Sequence, residues 1–126
     1  MSIHVRWTDN TETIIVSQFI GKWTLDELYE SLSKCYAMQN DKPYIIDTIF
    51  DMTQSDGIPK NIMSINGYIK RNRQPDAIAV VITQNAFVRT MSETFMRLLQ
   101  NQQTILFAKD HDDAMQKLAP IVAART

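Results

Sequence analysis

Tyr44-Ile45-Ile46-Asp47-Thr48-Ile49-Phe50 is the stretch that decides the fold, and it stops at Asp51-Met52-Thr53. Apart from Asp47 and Thr48 it is apolar on both faces. A short run of that kind reads as a strand covered from both sides. Asn40-Asp41-Lys42-Pro43 before it is a linker, in which Pro43 cannot extend a helix and pre-sets an extended entry. Upstream lies the best-specified local element of the chain. Thr24 and Glu27 have the spacing of a capping box, and Trp23 and Leu28 occupy the two positions of a hydrophobic staple around it. Leu25, Leu28, Leu32 and Cys35 then recur at helical spacing. Helix, then strand covered on both faces, is the alternation of an α/β domain.

Outward from that core, Ile3, Val5 and Trp7 alternate with His4 and Arg6, the period of a half-buried strand. Thr8-Asp9-Asn10-Thr11 is a turn cluster, and Glu12 to Ile20 resumes as a β-branched strand, so the pair predicts an antiparallel hairpin. Downstream, Asp51 to Gly57 reads as a loop and Pro59 as the first turn of a helix carrying Ile62, Ile65 and Ile69. Ala77 to Thr83 is a second strand without a polar face. Asn85 caps the next helix, with Phe87, Met91, Phe95 and Leu98 or Leu99 on one face. After the polar stretch Gln100–Gln103, Thr104–Ala108 is a short strand. Asp110 caps a last helix with Ala114, Met115 and Leu118, ending at Pro120. The order is β-β-α-β-α-β-α-β-α: one α/β domain over residues 1–120 with a mixed, mostly parallel sheet, and a tail over 121–126 that frays unless its apolar residues dock.

Composition sets the outer limits. The chain has 126 residues, enough to bury roughly two-thirds of its unfolded surface in one core without a metal or disulfide. It is 44% hydrophobic and 21% charged, with a formal net charge of -1. That balance carries no electrostatic footprint for nucleic acid or an anionic membrane. One cysteine, Cys35, excludes an internal disulfide, and no apolar run approaches the length of a membrane span. The expectation is a cytoplasmic protein with no membrane insertion and no nucleic-acid partner.

The order, and the segments Phe19-Ile20-Gly21-Lys22-Trp23-Thr24-Leu25-Asp26-Glu27-Leu28, Ile49-Phe50-Asp51-Met52-Thr53, Ala79-Val80-Val81-Ile82 and Ile105-Leu106-Phe107 followed by Asp112-Asp113-Ala114, resemble the STAS domain, the fold of bacterial anti-sigma-factor antagonists. More closely the chain resembles the small stand-alone bacterial STAS-like proteins. In antagonist-type members a serine near the start of the second helix, in an Asp-Ser-x-Gly context, is phosphorylated by a partner kinase. Here the region reads Gln54-Ser55-Asp56-Gly57, with Ser and Asp in the opposite order and a shorter loop. The resemblance implies a non-enzymatic regulatory module, Ser55 as the residue standing for the phosphorylation site, and Asp51 as the strand-end aspartate.

The candidate site is the edge after the central strand, where α/β sheets bind ligands. Asp51, Thr53, Ser55, Asp56 and Lys60 cluster there in sequence. They can meet a partner, a phosphate or a cation; or Asp51 bonds the loop and Ser55 or Asp56 caps the helix. Lys60, Lys70, Arg71 and Arg73 read either as an acidic-partner patch or as solvated positions at a helix end. Cys35 lies on an apolar stripe and reads as a small hydrophobe. His4 and His111 share no metal-ligand spacing with each other or with Cys35. Seven methionines, among them Met91, Met96 and Met115, read as core filling or as an adaptable apolar groove. Asp47 is either buried and paired or at an edge. No phosphate loop, nucleophile elbow or metal cluster is present, so no catalytic residue, metal or cofactor is expected.

Two functions remain. The first is a regulatory or interaction module that docks a protein, or a second copy of itself as a homodimer, through the Asp51–Pro59 loop and the helix after it, switched by modification at Ser55 or Thr53. The alternative is a carrier of a lipid or small molecule, with an apolar pocket between sheet and helices.

Overall fold

The alternation at the N-terminus builds the expected hairpin: β1 (Ile3–Trp7) pairs antiparallel with β2 (Ile14–Gly21), Ile3 opposite Phe19 and Trp7 opposite Ile15. The computed structural model describes residues 2–98 and 104–125, without the side chains of Ser92, Phe95, Met96, Leu98 and Thr104. The apolar positions expected at Phe95, Met96, Leu98 and Leu99, the stretch 100–103 and Thr126 thus lie outside what is described.

α1 (Leu25–Asn40) starts at the box that the sequence marks. The Glu27 N–H donates to Thr24 Oγ1 at 3.1 Å, and the Thr24 N–H donates to Glu27 Oε1 at 3.2 Å. The Ser2 N–H donates to Glu27 Oε2 at 3.1 Å, so the same carboxylate ties the chain start to the helix. That N–H is the first cause of a Glu27 carboxyl held below the usual range.

β3 (Asp47–Ser55) is central, in a five-stranded sheet of order β1-β2-β3-β4-β5 with β4 (Ile78–Ile82) and β5 (Thr104–Ala108). All pairings after the hairpin are parallel. β3 is displaced from its expected place: it begins at Asp47, not Tyr44, and it continues through Asp51–Ser55, which the composition reads as loop. The partner strand decides both ends. Asp47 faces Ile14, where β2 begins, and Ser55 faces Gly21, where β2 stops. Composition tracks burial, whereas the ladder tracks backbone pairing, and the two part where a strand emerges from the core.

The second helix also starts later than Pro59. A 3-10 turn, Ile62–Ile65, precedes α2 (Asn66–Asn72), and neither has a side-chain cap bond. The Ile62 N–H bonds the Pro59 carbonyl at 3.1 Å, the short-range closure of a tight turn.

α3 (Ala86–Leu98) is capped as expected: Asn85 Oδ1 accepts from the Phe87 and Val88 N–H groups at 2.8 and 3.2 Å. α4 runs from His111 to Ala123, with Asp110 Oδ1 accepting from the Asp113 N–H at 2.8 Å. It passes through Pro120, where the sequence predicts its end. Proline inside a helix costs about 3 kcal/mol. Contacts beyond it offset that cost. Ile121 packs on the core, and Arg125 reaches back to β3, so most of the stretch read as a tail is helix and anchor.

The sheet is covered on both faces. On one, Ile14, Val16, Ile49, Val80 and Ile82 pack with Ala114 and Leu118 of α4. On the other, Phe19, Trp23, Leu28, Leu32, Ile62 and Ile65 gather α1 and α2, with Met91 of α3 beside them. No described helix is long and apolar enough to cross a membrane.

Candidate functional site

β3 pairs with β4 only from Thr48 to Asp51, but with β2 as far as Ser55. Met52–Ser55 therefore outruns β4 and forms one wall of a shallow crevice. Thr83, Gln84 and Asn85, after β4, form the other, with Val88 at its base. This is the carboxyl end of the parallel strands, the edge at which such sheets bind.

The five expected site residues fall along this region without converging. Asp51 and Ser55 are about 13 Å apart along an extended strand. Asp51 turns to its own neighbour: its Oδ1 accepts from the Thr53 N–H at 3.0 Å and from the Thr53 hydroxyl at 2.6 Å. That local pair blunts the open edge of the strand. Ser55 bridges two elements. Its oxygen accepts from Trp23 Nε1 at 2.8 Å, and its hydroxyl donates to the Gly57 carbonyl at 2.8 Å. Gly57 has φ +109°, a backbone conformation that favours glycine. Asp56 and Lys60 are exposed, and the Asp56 N–H bonds the Gly21 carbonyl at 2.9 Å. Neither Ser55 nor Asp56 caps the following helix, because five more residues, 57–61, separate Asp56 from the first helical turn.

Phe87 lies beside the crevice, in the first turn of α3. It is 58% exposed, the most exposed large apolar side chain among the described residues. The sequence places it on the buried face of that helix, and the structure corrects this. The buried position of that turn is Val88.

At the amino end of the sheet Asp47 and Gln74 are held by protein groups. Asp47 is 1% exposed. It takes both Arg125 nitrogens, Nη1 at 2.7 Å and Nη2 at 2.9 Å, and its Oδ1 also accepts from the Ile78 N–H at 2.8 Å. Asp47 and its hydrogen bonds raise the Arg125 guanidinium above its usual range. Gln74 holds the entry to β3, accepting from the Ile46 N–H at 2.8 Å and donating to the Tyr44 carbonyl at 2.9 Å. Sequence reasoning flagged Asp47 but missed its partner. The signal was there: a carboxylate inside an apolar run needs a cation.

Between the sheet and helices α1, α2 and α3 is an apolar cavity of about 170 Å³, its wall including Leu32, Phe50, Ile65, Ile69, Val81 and Met91. Tyr36, Gln39 and Arg73 also line it. Burial pushes the Tyr36 phenol above its usual range, so it stays protonated. Arg73 is thus separated from Lys70 and Arg71, which are exposed at the end of α2. Cys35 borders the same space. Burial pushes its thiol up to about 11, the setting of a packed thiol and not of a nucleophile. His4 and His111 are exposed, and the described residues contain no group of three His, Cys, Asp or Glu that could hold a metal.

The strand order and two-face covering find a counterpart among solved structures. The crystal structure of an uncharacterized protein of the DUF3478 family from Shewanella loihica PV-4, described as having a SpoIIAA-like fold, is similar to this chain with a TM-score of 0.65. The fold is SpoIIAA-like, that is, STAS-type. The match covers 93% of this chain and 92% of that one at 16% identity, which is a likeness of fold alone. No protein-family model matches the chain, and no curated protein matches it.

Proposed function

We propose that the protein is a non-enzymatic regulatory or interaction module that docks a protein partner at the carboxyl end of its sheet. The observation that carries this reading is the overhang of β3 beyond β4 beside the exposed ring of Phe87. The exposed ring of Phe87 and the exposed polar residues Thr53, Gln54, Asp56 and Lys60 of the overhang and its loop together have the mixed apolar and polar composition of a docking surface. The Asp51–Thr53 pair closes an edge N–H, so recognition runs through side chains and not through strand addition.

Phosphorylation at Ser55 is the switch in this reading. It would add about -1.5 to -2 charge. A phosphate there removes the hydroxyl proton and so the bond to the Gly57 carbonyl, while its oxygens can still accept from Trp23 Nε1, and this reshapes the loop that leads to Lys60. The test is affinity capture from the native host, comparing the unmodified sequence with Phe87→Asp, Thr53→Lys and Ser55→Glu. A partner retained by the first and lost by Phe87→Asp and Thr53→Lys supports docking at this edge. Equal capture by all refutes it, and an unchanged partner with Ser55→Glu refutes the switch.

The apolar cavity favours a second reading, a carrier of a small apolar molecule. An engineered apolar cavity of about 150 Å³ in another protein takes up benzene. Native mass spectrometry of gently purified protein separates the readings. An added mass lost on denaturation supports the carrier, and a bare chain counts against it.

A further inference from the structure

Gln39 and Gln74, two polar side chains on the wall of the apolar cavity, have nothing to offer a ligand. Gln39 Nε2 donates to the Ile46 carbonyl at 2.9 Å. Gln39 Oε1 and Arg73 Nε are shut inside the wall, out of reach of anything in the open space. Both polar atoms of the Gln74 amide are held by the entry to β3, at 2.8 and 2.9 Å. The Tyr36 phenol is protonated and uncharged. Among the described residues the wall carries no carboxylate, lysine or histidine. The rest of it is almost wholly aliphatic and aromatic, with Leu32 from α1, Ile65 from the 3-10 turn and Val81 from β4.

Resting on the carrier reading, we infer that the cavity takes an uncharged one-ring hydrocarbon, of the size of benzene or toluene, and holds it without a hydrogen bond. The volume of about 170 Å³ sets the size, since a cavity of about 150 Å³ in another protein takes up benzene. The wall sets the polarity. A polar head brought into this space gives up its water and gains no bond from Gln39 or Gln74. An ionised head loses far more water, and an ammonium group finds no carboxylate. A hydrocarbon has no such loss and gains the contacts of the wall. Four rings stand there, Phe19, Trp23, Tyr36 and Phe50, with Phe19 edge-on to Trp23 at 4.9 Å between centroids. Met52 and Met91 add thioethers. Aromatic edges and sulfur atoms both make favourable contacts with a flat ring. The ligand is thus selected by the penalty on polar groups and kept by packing.

The experiment is an NMR titration of the full-length, isotope-labelled protein with toluene, p-cresol and p-toluate, which share one body and differ in the head. The expected result is saturable binding of toluene, with shifts at Ile65, Ile69 and Met91. It should be at least about fivefold tighter than that of p-cresol and about fiftyfold tighter than that of p-toluate. Ile69→Trp, or Met91→Trp if the first does not fold, fills the space and weakens toluene at least about tenfold. Toluene bound equally well by a folded variant of this kind overturns the assignment to this cavity. p-Cresol bound as tightly as toluene overturns the class in favour of a hydroxyl-bearing ligand, and p-toluate bound as tightly overturns it in favour of an acid. Failure of all three probes to bind saturably overturns the carrier reading itself.

Discussion

The two ends of β3 treat polar side chains in opposite ways. At the amino end, Asp47 is bound to Arg125 and Ile78 across three separate segments of the chain, 78 and 31 residues away. At the carboxyl end, Asp51 is bound to Thr53, two residues away on the same strand. Long-range bonds hold distant elements together, so the amino end is where polar chemistry serves stability. Local bonds satisfy a group without tying anything to it, and the carboxyl end is left with surface to offer. One strand therefore joins an anchor to a platform, and substitutions at its two ends should fail in different ways.

The largest effect belongs to the anchor. Arg125→Leu leaves a carboxylate buried without its cation, a change that costs about 3 kcal/mol or more. Chemical denaturation will show it as a lower midpoint at an unchanged slope. Adding Asp47→Asn should recover most of the loss, since the amide oxygen still accepts from Ile78 and no charge is stranded. Equal destabilisation of the single and double variants would break the anchor half of the comparison.

Next comes the buried thiol, which packs beside Ile15 and Ile46 near the same end. Burial raises Cys35 from the ordinary 9.0 to about 11. Above pH 9 the unfolded chain releases this proton while the folded chain retains it. Stability is therefore unaffected by this group below about pH 9 and falls between pH 9 and 11, by roughly 2–3 kcal/mol. The Cys35→Ala variant should lack that part of the fall. A pH profile of the unfolding free energy for the two proteins checks this, and parallel profiles would remove the effect.

Ser55 stands between the two ends in character, because it lies on the platform but holds Trp23. Ser55→Ala leaves the indole N–H without its acceptor, a cost of about 1–2 kcal/mol readable by thermal or chemical unfolding. The smallest stability effects belong to the platform: Thr53→Lys and Phe87→Asp should each change stability by no more than about 0.5 kcal/mol. A loss above 2 kcal/mol at either would mean that the platform is part of the anchor.

Much of this was legible before the fold was known. The capping box Thr24–Glu27 and the caps Asn85 and Asp110 each fix structure through neighbours in sequence, and each stands where the pattern places it. The ends of β3 were not legible, because they depend on where β2 begins and stops. Nor was the route of α4 through Pro120, which rests on Ile121 and Arg125 docking against residues far earlier in the chain. The candidate site reads in the sequence as one loop cluster, and the structure spreads Asp51, Thr53 and Ser55 along a strand. On that strand Asp51 and Thr53 pair with each other while Ser55 bonds Trp23 and Gly57. Phe87 went to the wrong face because the helical period alone does not say which residue of a first turn the sheet covers.

The most direct test of the anchor and platform is to measure unfolding free energy and partner capture on the same set of variants. Thr53→Lys combined with Phe87→Asp should keep stability within about 1 kcal/mol and abolish capture of the native partner. The Asp47→Asn and Arg125→Leu pair, once refolded, should capture the partner normally. Full capture by the Thr53 and Phe87 variant, with its stability intact, would contradict the claim that the carboxyl end of the sheet is the docking surface.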